Sequence, residues 1–218
     1  MFSVDPSRAQ WIWEGECRSH SDAQILKDKW VIDVFEPDPL WYGPYFGADW
    51  GFARDPTVLI KFWIKPMNDF WELYIEHEAY GVGVDIENTP ELFDKIEGCR
   101  DHVIYADNAR PETINHMINK GFTIKAAPKW PGCVEDGITW MRSAKRIVIH
   151  ERCKHYIDES RNYSYKVDKL TGDILPQVQK GWDHGIDATR YGATPFIFGS
   201  EDYGEAFIYD ETVNISAI

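Results

Sequence analysis

Hydrophobic and polar positions change their period several times along the chain. From residue 45 the runs are strand-like, at 45–50, 57–64 and 71–77, with short loops carrying Gly51, Pro56, Pro66 and Asn68 between them. That is the layout of an antiparallel meander. Asn88-Thr89-Pro90-Glu91 then opens a helix, with Thr89 as its cap, proline at the first helical position and an early glutamate. A strand at 102–107, a helix at 110–121 bounded by Pro111 and Gly121, and a strand at 122–127 come next. Connections this short between alternating strands and helices predict crossover units and a partly parallel sheet. The pattern continues with a helix at 133–143, a strand at 146–150 and a helix at 151–159. A hairpin is expected at 162–167 and 174–178, around Thr171-Gly172-Asp173. Finally, 182–191 reads as the start of a helix. Asp183 and Asp187 are four apart and His184 and Asp187 three apart, so all three side chains share one face.

The ends behave differently. Residues 1–40 mix apolar and charged positions without clear period, and their strand candidate is 30–35, so the segment reads as a linker or flank. Glu36-Pro37-Asp38-Pro39 punctuates the chain, and a domain core is expected over 41–198. From 195 onward the sequence is aromatic and acidic without helical period, and 199–218 is read as a tail. The 218 residues suit one compact domain plus extensions. There is no signal-peptide pattern, and no apolar run approaches the roughly 18 residues that cross a bilayer, so no membrane association is expected. Cys17, Cys99, Cys133 and Cys153 lie far apart without C-x-x-C spacing, which argues against a zinc ribbon or a redox motif and for reduced thiols.

Charge narrows the function. With 36 Asp and Glu against 23 Lys and Arg the net charge is −13, which opposes tight non-specific binding to nucleic acid. A DNA substrate would need cations at a local carboxylate cluster, or a positive track on another domain or partner. The ten tryptophans lie mostly in apolar runs rather than beside lysine or arginine, which favours core and docking roles over base stacking.

Asp49 ends one apolar run and Asp107 another, so both read as strand-end carboxylates aimed at one point, with Asp187 and His184 on the late helix completing the set. Three antiparallel strands followed by alternating helices and strands, with aspartates on the first strand, the fourth strand and a late helix, resemble the ribonuclease H superfamily. The expected architecture is therefore an α/β, ribonuclease H-like mixed sheet flanked by helices, with an extra β-hairpin near the active site. Carboxylate and water ligands would suit two divalent ions, Mg²⁺ or Mn²⁺ rather than zinc, holding the attacking and leaving oxygens of a phosphodiester hydrolysis. Asp183 has two readings, a helix cap or a further metal ligand. By alternation Glu76 and Glu78 read as solvent-facing. Lys125 and Lys129 read either as solvated lysines or as contacts to the DNA backbone.

The resemblance extends to individual motifs. Gly47-Ala48-Asp49-Trp50-Gly51-Phe52 with Asp55-Pro56, then Tyr105-Ala106-Asp107-Asn108-Ala109-Arg110-Pro111-Glu112, then His184-Gly185-Ile186-Asp187-Ala188-Thr189-Arg190-Tyr191 resemble the nuclease domain of the tailed-phage large terminase subunit. The similarity runs from about residue 44 to about residue 193 and includes the Ala126-Ala127-Pro128-Lys129-Trp130-Pro131-Gly132 loop. It implies an endonuclease of low sequence specificity that cuts concatemeric double-stranded viral DNA during genome packaging. Its active site would use Asp49, Asp107 and Asp187 as metal-binding carboxylates, with His184 beside them and Lys129 toward the DNA backbone. Implied partners are the terminase ATPase motor domain, the small terminase subunit and the portal protein, in a transient packaging complex in the host cytoplasm rather than in the virion. No G-x-x-x-x-G-K-[ST] phosphate loop occurs, so the chain reads as the nuclease part alone, without ATPase activity. Two rivals stay open: another nuclease of the superfamily, resolvase- or integrase-like, and a non-catalytic module that docks on the portal or capsid.

Overall fold

A computed structural model describes residues 22–51 and 54–198. Its centre is a seven-stranded mixed sheet. The strands are β1 (Trp30–Asp33), β2 (Tyr42–Asp49), β3 (Pro56–Pro66), β4 (Trp71–Val82), β5 (Val103–Ala106), β6 (Thr123–Ala126) and β7 (Ile147–His150), in the order β1-β7-β4-β3-β2-β5-β6. The meander β2–β3–β4 is antiparallel, as the alternation predicts, while β5 runs parallel to β2, β6 to β5, and β7 to β4. The helices are α1 (Thr89–Phe93), α2 (Pro111–Asn119), α3 (Cys133–Ser143), α4 (Lys154–Asn162), α5 (His184–Gly192) and α6 (Thr194–Phe198). Among the described residues no helix is long and apolar enough to cross a membrane.

Side-chain alternation along β3 divides the core in two. Val58, Ile60, Phe62 and Ile64 pack with Ile138 and Met141 of α3, Tyr156 and Ile157 of α4, and Ile186 and Ala188 of α5. Leu59 points to the other layer, with Phe46, Ala48 and Ile104, under Leu92 and Phe93 of α1 and Ile114 and Met117 of α2. Helices thus cover both sheet faces, as a parallel segment in the sheet requires.

The N-terminal flank needs correcting. Ala23, Ile25 and Leu26 are buried, and β1 pairs in parallel with β7 at the sheet edge, so residues 22–33 belong to the packed unit rather than to a linker. The periodicity of 30–35 gave no sign of this because β1 lies at an edge and is largely exposed, and its partner comes more than a hundred residues later. Residues 1–21 and the tail 199–218 lie outside the described residues. Thr89 is not a cap either: its hydroxyl donates to Asp85 O at 3.2 Å, inside a short 3₁₀ turn, Ile86–Asn88, that precedes α1.

The expected hairpin forms a separate two-stranded sheet, β8 (Tyr165–Val167) and β9 (Ile174–Val178). Its base is held by a bridge between Gln24 and Ser164, and Tyr165 Oη donates to Glu135 Oε2 of α3 at 2.9 Å. An open recess of about 230 Å³ lies between α3 and β9, lined by Glu135, Tyr165, Ile174, Leu175 and Pro176. From β9 the chain runs through Lys180 directly into α5.

Candidate active site

Two carboxylates leave the sheet side by side. Asp49 is the last residue of β2 and Asp107 follows β5, and because these strands are parallel neighbours both groups emerge at the same edge. Asp107 N donates to Ala48 O at 3.0 Å, and Trp50 Nε1 donates to Asp107 O at 2.8 Å, which fixes the two strand ends to each other. This is the crevice beyond the carboxyl ends of parallel strands, a common place for a site in α/β folds.

Helix α5 brings the remaining groups by packing backbone to backbone on β2. A methyl carbon built at Gly47 would stand 1.8 Å from Ala188 O, and one at Gly192 would stand 2.7 Å from Phe62 Cε1 and 3.0 Å from Gly47 N. Only glycine allows that approach. At this distance the first turn of α5 meets the end of β2: His184 Nδ1 lies 3.0 Å from Asp49 Oδ2, and its Nε2 lies 4.0 Å from Asp55 Oδ1. Burial pushes the Asp49 carboxyl up to about 6; the His184 hydrogen bond pulls it down, and the charges of Asp187 and Asp107 push it up again. Tyr191, one turn further on, is raised first by its burial and then by Asp187, Asp49 and Asp107, so its ring stands within the field of all three carboxylates.

The sequence model of the Terminase RNAseH like domain family matches residues 49–193. The chain belongs to that family. The large terminase subunit of Bacillus phage SPP1 is 31% identical over 153 residues, which make up 66% of this chain and 34% of that protein. The crystal structure of the SPP1 large terminase nuclease domain with bound Mn aligns with a TM-score of 0.66 at 25% identity, covering 76% of this chain and 96% of that one. The nuclease domain of the P22 large terminase has the same fold, with a TM-score of 0.59 at 17% identity over 76% of this chain and 86% of that one. The chain spans about a third of the length of the curated SPP1 relative.

In this terminase nuclease fold each site carboxylate faces a base of its own chain. Lys129 Nζ lies 2.5 Å from Asp107 Oδ1 and 5.9 Å from the Tyr191 ring centroid. Arg190 places Nη2 at 2.6 Å and Nε at 3.2 Å from Asp187 Oδ1, with both residues buried. Lys180 Nζ reaches Asp183 Oδ2 at 2.6 Å and Asp187 Oδ2 at 3.8 Å. Among the described residues, no group of three or more His, Cys, Asp or Glu side chains stands close enough together to hold an ion between them. Lys125 is exposed on the edge strand β6, in register with Tyr105.

Asp183 occupies the N-cap position of α5, but its carboxylate makes no capping hydrogen bond. Its oxygens turn back instead, to Gly181 N at 3.0 Å and to Lys180. The cap comes from α4: Glu159 Oε2 accepts from Gly185 N at 2.7 Å and Ile186 N at 3.2 Å. Glu78 is likewise no solvent-facing strand residue. It accepts from His155 N at 2.9 Å and Tyr156 N at 2.8 Å at the start of α4. Arg190 lies three residues from Asp187 and Lys180 three from Asp183, spacings visible in the sequence, whereas nothing local marks Glu159 or Glu78.

Proposed function

We propose that the chain is an endonuclease acting on concatemeric double-stranded viral DNA during genome packaging, with Asp49, Asp107 and Asp187 as the carboxylates of a two-cation centre. The observation that carries this reading is the meeting of two strand-end aspartates with the first turn of α5 in a chain of this family. Carboxylate oxygens are the donors a hard divalent cation takes, and these three would have to draw closer together than they stand here to hold one. Asp107 Oδ1 is buried and accepts no well-directed hydrogen bond among the described residues, its close neighbour being the Lys129 ammonium. The rise of Asp49 to about 6 comes first from burial, and the smaller share that Asp187 and Asp107 add is a repulsion that a cation would relieve. The Mn of the SPP1 nuclease domain agrees with this choice. When bound, two such ions supply charge stabilisation at the attacking and leaving oxygens of an in-line phosphodiester hydrolysis.

The protein's own groups do the rest. Asp49, Asp107 and Asp187 present the oxygens, and the Gly47–Ala188 contact fixes their spacing. His184 holds Asp49 at Nδ1, which leaves Nε2 toward Asp55 and the open side of the site. Lys129 sits at the rim, where an ammonium displaced from Asp107 can meet a DNA phosphate. A net charge of −13 makes the chain a weak DNA binder, so a motor domain, a small terminase subunit and the portal would hold the substrate in the host cytoplasm.

One observation favours a second reading, a docking module that has kept the fold. Arg190 neutralises Asp187 from within the same helix, and that leaves the carboxylate less free for a cation. Nicking of supercoiled plasmid in Mn²⁺ decides between them. The endonuclease reading expects relaxed plasmid from the wild type and none from Asp49→Asn, Asp107→Asn or Asp187→Asn; intact plasmid with the wild type would sink it.

A further inference from the structure

Helix α5 starts without a side-chain cap from its own segment, and at this site its start decides where His184 and Asp187 stand. The first N–H groups of a helix need acceptors, and buried ones left without them are costly. Glu159 supplies the acceptor from another helix, at 2.7 and 3.2 Å to Gly185 N and Ile186 N, with only 3% of its surface exposed. A second observation is independent of those bonds. A methyl carbon at Gly185 would come within 3.0 Å of Tyr156 Cδ2 and 3.1 Å of Glu159 Oε2, so the glycine keeps this contact open. The anchor is itself anchored: Glu78 of β4 takes the N–H groups of His155 and Tyr156 at the start of α4, and Thr189 Oγ1 lies 3.1 Å from Tyr156 Oη and 2.9 Å from Gly185 O.

We propose that Glu159 is a positioning residue of the nuclease site, its carboxyl oxygen replacing the absent local cap of α5 and thereby setting His184 and Asp187 against Asp49. The proposal rests on the endonuclease reading for its consequence in activity, but not for its structural content. β4, α4 and α5 form a chain of caps, Glu78 to α4 and Glu159 to α5, that transmits the position of the central meander to the site.

Reach, rather than charge, is what the role demands, and this separates the variants. Glu159→Gln keeps an acceptor oxygen at the same distance from the backbone. Glu159→Asp keeps the carboxyl group but withdraws its oxygen by one methylene, and Glu159→Ala removes it. In the full chain, hydrogen exchange at the Gly185 and Ile186 amides should quicken by roughly fivefold in the aspartate and alanine variants, the scale of a lost cap, and stay at the wild-type rate in the glutamine variant. Mn²⁺ titrated by calorimetry should bind about tenfold more weakly to the aspartate and alanine variants, as when a group supporting metal ligands is lost, with binding restored by glutamine. If the alanine variant does not fold, the aspartate and glutamine pair carries the comparison. Wild-type exchange and Mn²⁺ binding in Glu159→Asp, or a glutamine variant as impaired as aspartate, would overturn the proposal. A wild-type chain that never nicks DNA yet shows the expected order of exchange rates removes the endonuclease reading and upholds the positioning one.

Discussion

His184 Nδ1 and Asp49 Oδ2 stand 3.0 Å apart although 135 residues separate them in the chain. Burial works against charge on the imidazole, yet the Asp49 hydrogen bond and charge, with Asp183 and Glu159 behind them, hold His184 above the ordinary histidine value. The same contact works in reverse on Asp49, where it is the largest influence opposing burial. His184→Ala should therefore move the Asp49 titration upward from about 6. Carbon NMR of the Asp49 carboxyl in the metal-free protein reads this directly, and at limiting Mn²⁺ the acid limb of nicking should move to higher pH. A titration that stayed in place or moved down would mean that the imidazole does not stabilise the carboxylate.

Asp187 is bound to a partner that is itself buried, Arg190 at 2.6 Å and 5% exposed. Asp187→Asn should abolish nicking, and it should also cost stability, on the order of 3 kcal/mol, because a guanidinium is left without its counter-ion in the interior. Adding Arg190→Met should return much of the stability and none of the nicking. Thermal melts beside the plasmid assay test both halves; an Asp187→Asn protein as stable as the wild type would contradict the buried-pair account.

Lys129 offers a separate test, since an ammonium 2.5 Å from Asp107 Oδ1 competes with any cation for that oxygen. Lys129→Ala should bind Mn²⁺ more tightly by calorimetry. If Lys129 also meets phosphate, the variant should bind DNA more weakly and with a salt slope reduced by about one. Unchanged Mn²⁺ affinity would remove the competition argument.

What the sequence disclosed and what it hid follow from the range of the forces involved. The strand-end places of Asp49 and Asp107 were readable because each ends an apolar run, and the shared helix of His184 and Asp187 because of their three-residue spacing. Both signals are local. The pairing of β1 with β7 was not readable: an exposed edge strand has little alternation, and its partner is far away in sequence. Asp183 misled for a related reason. An aspartate before a helix is favoured as a cap, but here Lys180 and Gly181 take its oxygens while Glu159 takes the helix amides, and no local pattern encodes that exchange.

Gly47 tests whether the site depends on the backbone contact between β2 and α5. With Ala188 O only 1.8 Å from where a methyl carbon would lie, and that oxygen belonging to the backbone, no rotamer change can make room. Gly47→Ala should cost roughly 3 kcal/mol or more and displace α5, so that nicking falls even in the folded fraction. Gly132→Ala is the contrasting case: nothing lies near the added carbon, and the cost is that of its left-handed backbone, φ +89°. Denaturant melts and nicking at matched folded protein would separate the two. A Gly47→Ala protein with wild-type activity would show that α5 need not touch β2.

Glu159 carries a pH signature of its own. Its burial raises the carboxyl to about 8 from 4.5, against the pull of the Gly185 and Ile186 amides and of His184, and Asp183 adds to the rise. An acid raised on folding binds its proton more tightly in the folded chain, so its contribution to stability is full below the unfolded value of 4.5 and is lost as pH climbs through about 8. Glu159→Gln keeps the acceptor oxygen and cannot ionise. Its stability should match the wild type near the acid end of that window and exceed it above the window by on the order of 5 kcal/mol. Denaturant melts of both proteins at about pH 5, below the midpoint expected for this group, and at about pH 9, above it, measure the gap. Curves that stay parallel across the range would mean that Glu159 ionises as readily in the folded chain as in the unfolded one, and that its buried place at the start of α5 imposes no cost on its charge.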